Sequence, residues 1–370
     1  MMNDKTFFRF VRFCLGDPSE TPEMFKDMDW PALWQMAVKQ SLIGFFFDGI
    51  RRMPKQLMPR YPLLLEWIGQ SGRLENRNRA ACEAIGEMCR LLQADGFRTC
   101  LLKGECAGLR YPSPLLRKPG DIDLWVLPAD GSFPSLAGRR RQIMAYLQQK
   151  GVKYDVAPHH IGFKRNGFEY ELHVTPITHY SPLHNHRLQQ WFMEKADDQF
   201  SNIVTLPNGK DHCAASTARF DAVYQLSHIF HHVFDGGISL RLFLDYYYVV
   251  MDPGFEVDGA AFAAVLKKVG LYHIAQGMSY VMQTLFHLPA DRYPIPASKK
   301  IGEKIIRQMM EGGEFGAFGK DAGIASRSVR KYVNDTRRSL SLLTTFPSEA
   351  FFNPVLHIRR YLWGLINKQR

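Results

Sequence analysis

Asp121 and Asp123 stand two residues apart at the head of the run Asp-Ile-Asp-Leu-Trp-Val-Leu, directly after Gly120. Side chains two apart on an extended strand point to the same face, so both carboxylates address one place. Paired carboxylates suit a hard divalent cation, and Mg²⁺ commonly completes its shell with substrate phosphates. An exposed polar strand face would carry the same spelling, so the pair alone is weak. Its surroundings strengthen it. Upstream, the apolar run Leu101-Leu102 ends in Lys103-Gly104, and Glu105 to Arg110 can open a helix. A glycine lets backbone approach a phosphate closely, and a helix start offers free N–H donors. Lys103 brings a point charge, and Arg117, four residues before Asp121, can fork a phosphate. A solvated lysine and a surface ion pair are the plain alternatives for these two. Together, cation, glycine turn, cation and paired acids suit a nucleoside triphosphate.

A third acid is expected from a neighbouring strand. Phe168 to Val174 alternates, placing Glu169, Glu171 and His173 on one face and Phe168, Tyr170, Leu172 and Val174 on the other. Glu171, midway along, is the first choice, with Glu169 in reserve; His173 can orient a carboxylate or contact substrate. Elsewhere, His228, His231 and His232 lie near Asp235, with Arg241 and Asp245 one helix on. That group reads as a packed helix pair with hydrogen-bonded His and Asp, as a wall of the cleft, or as a zinc site. His159, His160, His179, His184 and His186 read as solvated loop histidines.

Three stretches must position these groups. Residues 1–95 read as helical: Trp30, Leu33, Trp34, Ala37, Val38 and Ser41 form one stripe, Leu74 to Leu92 another, and Pro54, Pro59 and Pro62 separate them. Residues 96–184 read as a small α/β core. It has strands at 97–102 and 121–127, an amphipathic helix at 134–150 carrying Arg139-Arg140-Arg141, and strands at 161–164 and 168–174. Asn166-Gly167 joins the last two, a strong hairpin signal. Residues 185–370 read as helical again, at 214–234, 240–251, 260–288, 301–310, 327–343 and 354–366, with a Gly-rich loop at 312–323. The fold class expected is α+β, a small mixed sheet flanked by helices from both termini.

Composition removes other classes. Across 370 residues, 46% are hydrophobic and 22% charged, which excludes disordered, collagen-like and coiled-coil chains. Lys and Arg total 47 against 36 Asp and Glu, a net +11 that favours a polyanionic partner. The six cysteines form no CxxC, so reduced core thiols are expected rather than a disulfide frame or thiolate zinc site. No run of 18 apolar residues predicts a membrane span, and the Phe-rich start, mixed with Lys and Arg, reads as a packed amphipathic helix rather than a signal peptide. The cytoplasm is the compartment expected.

The stretch Leu102-Lys103-Gly104, Tyr111-Pro112, Arg117 and Gly120-Asp121-Ile122-Asp123-Leu124, followed by Glu171-Leu172-His173, resembles the signature of the uncharacterised bacterial nucleotidyltransferases, a branch of the polymerase-β-like superfamily. The likeness is specific over 101–127 and extends loosely over 97–290, through Ser227-His228, His232, Leu240-Arg241 and Leu244-Asp245. It departs from better-known superfamily members, which carry Gly-Ser on the phosphate-binding turn where this chain has Gly104-Glu105; Glu105 is expected to point away from a triphosphate. The resemblance implies nucleotidyl transfer from an NTP, with loss of pyrophosphate, to an unidentified hydroxyl on a small molecule, RNA or protein. It implies Mg²⁺, or Mn²⁺ in its place, held by Asp121, Asp123 and Glu171. Lys103, Gly104, Arg117, Gly120 and His173 would then bind the nucleotide. Two rivals stay open. One is a non-catalytic nucleic-acid-binding protein, favoured by Arg327, Arg330, Lys331, Arg337, Arg338, Arg359 and Arg360. The other is an interaction partner of the toxin–antitoxin kind.

Overall fold

Four helices open the chain: α1 (Asp4–Leu15), α2 (Trp30–Gln40), α3 (Ile43–Ile50) and α4 (Leu63–Ala94). The structure, a computed structural model, describes residues 4–132, 135–312 and 329–356, without the side chains of 312 and 329–334. Arg327, Arg359, Arg360, the side chains of Arg330 and Lys331, and the Gly-rich stretch beyond Gly312 lie outside the described residues. So does the expected terminal helix beyond residue 356.

The amphipathic N-terminus packs as expected, with Phe7, Phe8, Phe10 and Phe13 of α1 buried. Each fully buried side chain of that size contributes roughly 1.5–3 kcal/mol. Helix α2 is capped by Asp29, which accepts from the Ala32 N–H, and ends at Ser41 in a left-handed conformation (φ 60°). Its stripe is narrower than the spacing predicts: Leu33 and Ala37 are buried, but Val38 is 45% exposed. The first half of α4 packs Trp67 edge-on to Trp34, and the second half lies on the sheet through Ile85, Met88 and Leu92.

The sheet follows: β1 (Phe97–Leu101), α5 (Lys103–Gly108), β2 (Ile122–Pro128), α6 (Leu136–Gln149), β3 (Asp155–Val156), β4 (His160–Arg165) and β5 (Phe168–His173). Its order is β1-β2-β5-β4-β3, with β2 and β5 parallel and every other pair antiparallel, the mixed sheet expected. Asn166 and Gly167 both take positive φ (50° and 75°), closing β4 onto β5 in a two-residue turn. That turn pairs Arg165 with Phe168 and, counting back, His160 with His173.

Period-two alternation gives the sheet two different faces. Ile122, Leu124, Val126, Tyr170 and Leu172 pack against α4 and α6 in one core. Trp125 and Leu127 belong to the other core, shared by helices from both ends of the chain. Those later elements are α7 (Pro182–Glu194), α8 (Ala196–Ser201), β6 (Ile203–Thr205), β7 (His212–Ala214), α9 (Ala218–Asp235), α10 (Leu240–Met251), α11 (Gly259–Lys268), α12 (Tyr272–Phe286), α13 (Lys299–Gly312) and α14 (Val329–Leu342). The helix expected over 260–288 is two, interrupted at Gly270 (φ 80°). All six cysteines are buried free thiols, and no described helix is long and apolar enough to cross a membrane.

Candidate active site

Strand pairing brings the chemistry together. Asp123 of β2 sits opposite Glu171 of β5 in the parallel register, and Trp125 opposite His173. Asp123, Glu171 and His173 therefore share the sheet face that the later helices cover. Asp121 lies one residue before β2 and is exposed at the rim, whereas Asp123 is 4% exposed.

Lys103 leaves the C-terminal end of β1 beside them. Its φ is +49°, a left-handed conformation that costs a non-glycine residue roughly 1–2 kcal/mol. Flanking hydrogen bonds hold it: the Leu102 N–H donates to the Asp123 carbonyl at 2.9 Å, and Gln225 of α9 donates to the Lys103 carbonyl at 3.2 Å. The bent backbone aims the ammonium between the two acids, Nζ lying 2.7 Å from Asp123 Oδ1 and 2.7 Å from Glu171 Oε2.

His173 completes a quartet. Its Nε2 lies 2.8 Å from Asp123 Oδ1 and 3.2 Å from Glu171 Oε2, and its Nδ1 lies 3.1 Å from the Pro176 carbonyl. A carbonyl and ionised carboxylates only accept, so donation from both ring nitrogens, as in an imidazolium, satisfies all three contacts. Burial opposes that charge, but the bonds to Asp123 and Glu171 prevail and raise its pKa. Burial likewise opposes the charge on Lys103, and the two carboxylates outweigh it. Glu171 is held below the usual carboxylate range by His173 and Lys103, against the effect of burial. Asp121 goes the other way: burial, then the charges of Asp123 and Glu171, push it up to about 6.

The remaining expected ligands are placed differently. Arg117 does not reach the acids. It is 5% exposed and forms a forked pair with Asp245 of α10, Nε to Oδ1 and Nη2 to Oδ2 each at 2.8 Å. Tyr111 donates to the same carboxylate at 2.8 Å. The Gly120 N–H donates to Glu105 Oε1 at 3.1 Å, so Glu105 points back across the loop. Gly104 has a reason of its own within the protein: a Cβ there would come within 2.5 Å of Arg117 Nη2. Because Asp245 fixes that guanidinium, Gly104→Ala should destabilise the chain by about 1–3 kcal/mol. Urea denaturation measures this, and an unchanged midpoint would contradict the packing described.

Two histidines read as solvated are part of the site. His160 Nε2 lies 3.2 Å from Glu171 Oε1, and His159 and His160 ring edges meet at centroids 4.8 Å apart. The signal for His160 was present: the Asn166-Gly167 turn sets it opposite His173. On α9, His228 and His232 face each other at 3.2 Å and His231 bonds the Thr178 carbonyl, a packed arrangement. Among the described residues, two groups of three or more side chains could ligate a metal ion: Asp123, Glu171 and His173, and His159, His160 and His173.

An implied divalent cation can be tested against these donors. Asp123 and Glu171 already converge on one positive centre, the Lys103 ammonium, and Asp121 at the rim bears a carboxyl raised by desolvation and then by the charges of Asp123 and Glu171. Convergent carboxylate oxygens are the donor type an oxygen-seeking divalent cation takes. The model of a family described as an uncharacterised nucleotidyltransferase matches residues 26–287 of the chain. No curated protein and no solved structure matches it.

Proposed function

This chain belongs to the uncharacterised nucleotidyltransferase family, and from that premise we propose that it transfers a nucleoside monophosphate from an NTP to a hydroxyl acceptor, with release of pyrophosphate. The observation that carries the reading is the convergence of Asp123 and Glu171, on adjacent parallel strands, around the half-buried ammonium of Lys103, with Asp121 at the open rim. Asp121, Asp123 and Glu171 would hold Mg²⁺ or Mn²⁺. Bound there, such a cation neutralises phosphate charge and makes an acceptor hydroxyl more acidic.

The chain's own groups have separable tasks. His173 anchors Asp123 through Nε2 and is itself anchored to the Pro176 carbonyl, so the carboxylate does not swing. Lys103 supplies a fixed positive charge where a triphosphate tail would lie, and the left-handed backbone sets its direction. Arg117 acts at one remove: by fixing the loop before Asp121 to α10, it sets where the acidic rim stands. Positioned charge of this kind is the protein's main contribution to phosphoryl chemistry.

The test is incubation with each α-labelled NTP, Mg²⁺ or Mn²⁺, and small-molecule, RNA and protein fractions. Pyrophosphate release coupled to label on one fraction, abolished by EDTA, is expected. Nucleotide binding without turnover in every combination would instead favour a binding protein on the same scaffold.

A further inference from the structure

We propose that His159, His160 and His173 form a second metal site, one that takes a nitrogen-seeking divalent transition cation of the Zn²⁺ class beside the carboxylates. The site goes beyond nucleotidyl transfer and does not depend on it.

Four observations converge. First, one ligand atom from each of the three rings lies within 4.8 Å of the others. The centroids are 4.8 Å apart for His159–His160, 5.4 Å for His159–His173 and 5.3 Å for His160–His173. Second, the Nδ1 atoms of His159 and His160 are buried with no hydrogen-bond partner. Buried imidazole nitrogens are ordinarily satisfied, so each such atom calls for an account. Third, His173 donates Nδ1–H to the Pro176 carbonyl. Ligating histidines are commonly oriented in this way, the second ring nitrogen tied to a carbonyl or carboxylate. Fourth, the backbone presents the set: β4 and β5 pair His160 with His173, and the Val174 N–H donates to the His159 carbonyl at 2.9 Å.

Donor chemistry selects the ion. Three imidazoles favour zinc, copper, nickel or iron, whereas Mg²⁺ and Ca²⁺ take oxygen ligands. Asp123 and Glu171, in contact with His173, stand ready as an oxygen-bearing fourth ligand or as its support. The nearby cation, Lys103, is balanced by those same two carboxylates.

The experiment uses the full chain without a histidine tag and ZnCl₂ alone. Calorimetry against a competing chelator should find one Zn²⁺ per chain. Zinc-edge X-ray absorption of the wild-type chain should show imidazole scattering. His159→Ala and His160→Ala should each weaken binding at least about tenfold, since even outer-shell partners of ligands are worth about 10–100-fold. Asp121→Asn should keep it. Wild-type affinity in both histidine variants, an absorption spectrum without imidazole, or equal loss in Asp121→Asn would overturn the assignment. The absorption measurement needs no variant, so a misfolded substitution does not shelter the proposal.

Discussion

Asp121→Asn should lower nucleotidyl transfer on the order of 10³-fold while leaving the unliganded protein more stable above pH 6. The loss follows from removing one carboxylate of the proposed cation seat, where bound-cation stabilisation would be worth several kcal/mol and each 1.36 kcal/mol is tenfold in rate. The gain follows from charge. Burial and the neighbouring Asp123 and Glu171 raise the Asp121 carboxyl to about 6, against an unfolded value near 3.9. Between about pH 4 and 6 the folded chain therefore holds more protons than the unfolded chain, and stability falls as pH rises through that window. Above it the repulsion acts in full, and the neutral amide removes it. The advantage of Asn should thus be present at pH 7.5 and vanish below about pH 4. Denaturant midpoints at the two pH values, with turnover measured at 7.5, check both halves. Undiminished transfer, or a variant less stable than wild type at pH 7.5, would refute the rim assignment. Asp123→Asn is not equivalent, because Asp123 also holds Lys103 and His173.

The faces that Asp123, Glu171 and His173 take were legible because each sits on a strand whose alternation is local. Lys103, by contrast, reads as a charge for phosphate, and its pairs with Asp123 and Glu171 do not show in the sequence. Period two assigns faces, and Asn166-Gly167 sets the hairpin register. What local pattern cannot supply is the partner that arrives from far along the chain. Arg117 looks like a phosphate ligand until Asp245, 128 residues later, is brought against it by α10. His159 looks solvated because its surroundings depend on neighbours that no local pattern specifies, whereas the Asn166-Gly167 register already sets His160 opposite His173. The missed hairpin β6–β7, with Gly209 at φ 73°, consists of three-residue strands too short for a periodic signal. Val38 fails for the converse reason: it continues the helical spacing of α2, but no other element among the described residues covers it.

Replacing Asp245 with Ala should cost about 3–5 kcal/mol, the largest of the stability effects expected, because it leaves the buried Arg117 guanidinium with only Glu105, 3.9 Å away, as counter-charge. Arg117 is 5% exposed and Asp245 1%, so solvent does little to soften the loss. The pair joins the loop before Asp121 to α10, and Asn78 of α4 donates to the Arg117 carbonyl at 2.8 Å from the other side. Removing both charges is a different matter. Apolar residues of similar volume can replace a buried ion pair at little cost, so Arg117→Met with Asp245→Leu should recover much of the loss. Recovery should be incomplete, since Tyr111 would lose the acceptor for its hydroxyl. Urea midpoints of the single and double variants measure the coupling, and a single-variant loss below about 1 kcal/mol would remove the structural role. The double variant also separates positioning from ligation. If Arg117 only fixes the loop, the restored chain should bind NTP with affinity close to wild type, and its kcat should carry the defect. If stability returns but NTP binding does not, Arg117 contacts phosphate after all, and the Asp245 pair must open when nucleotide binds.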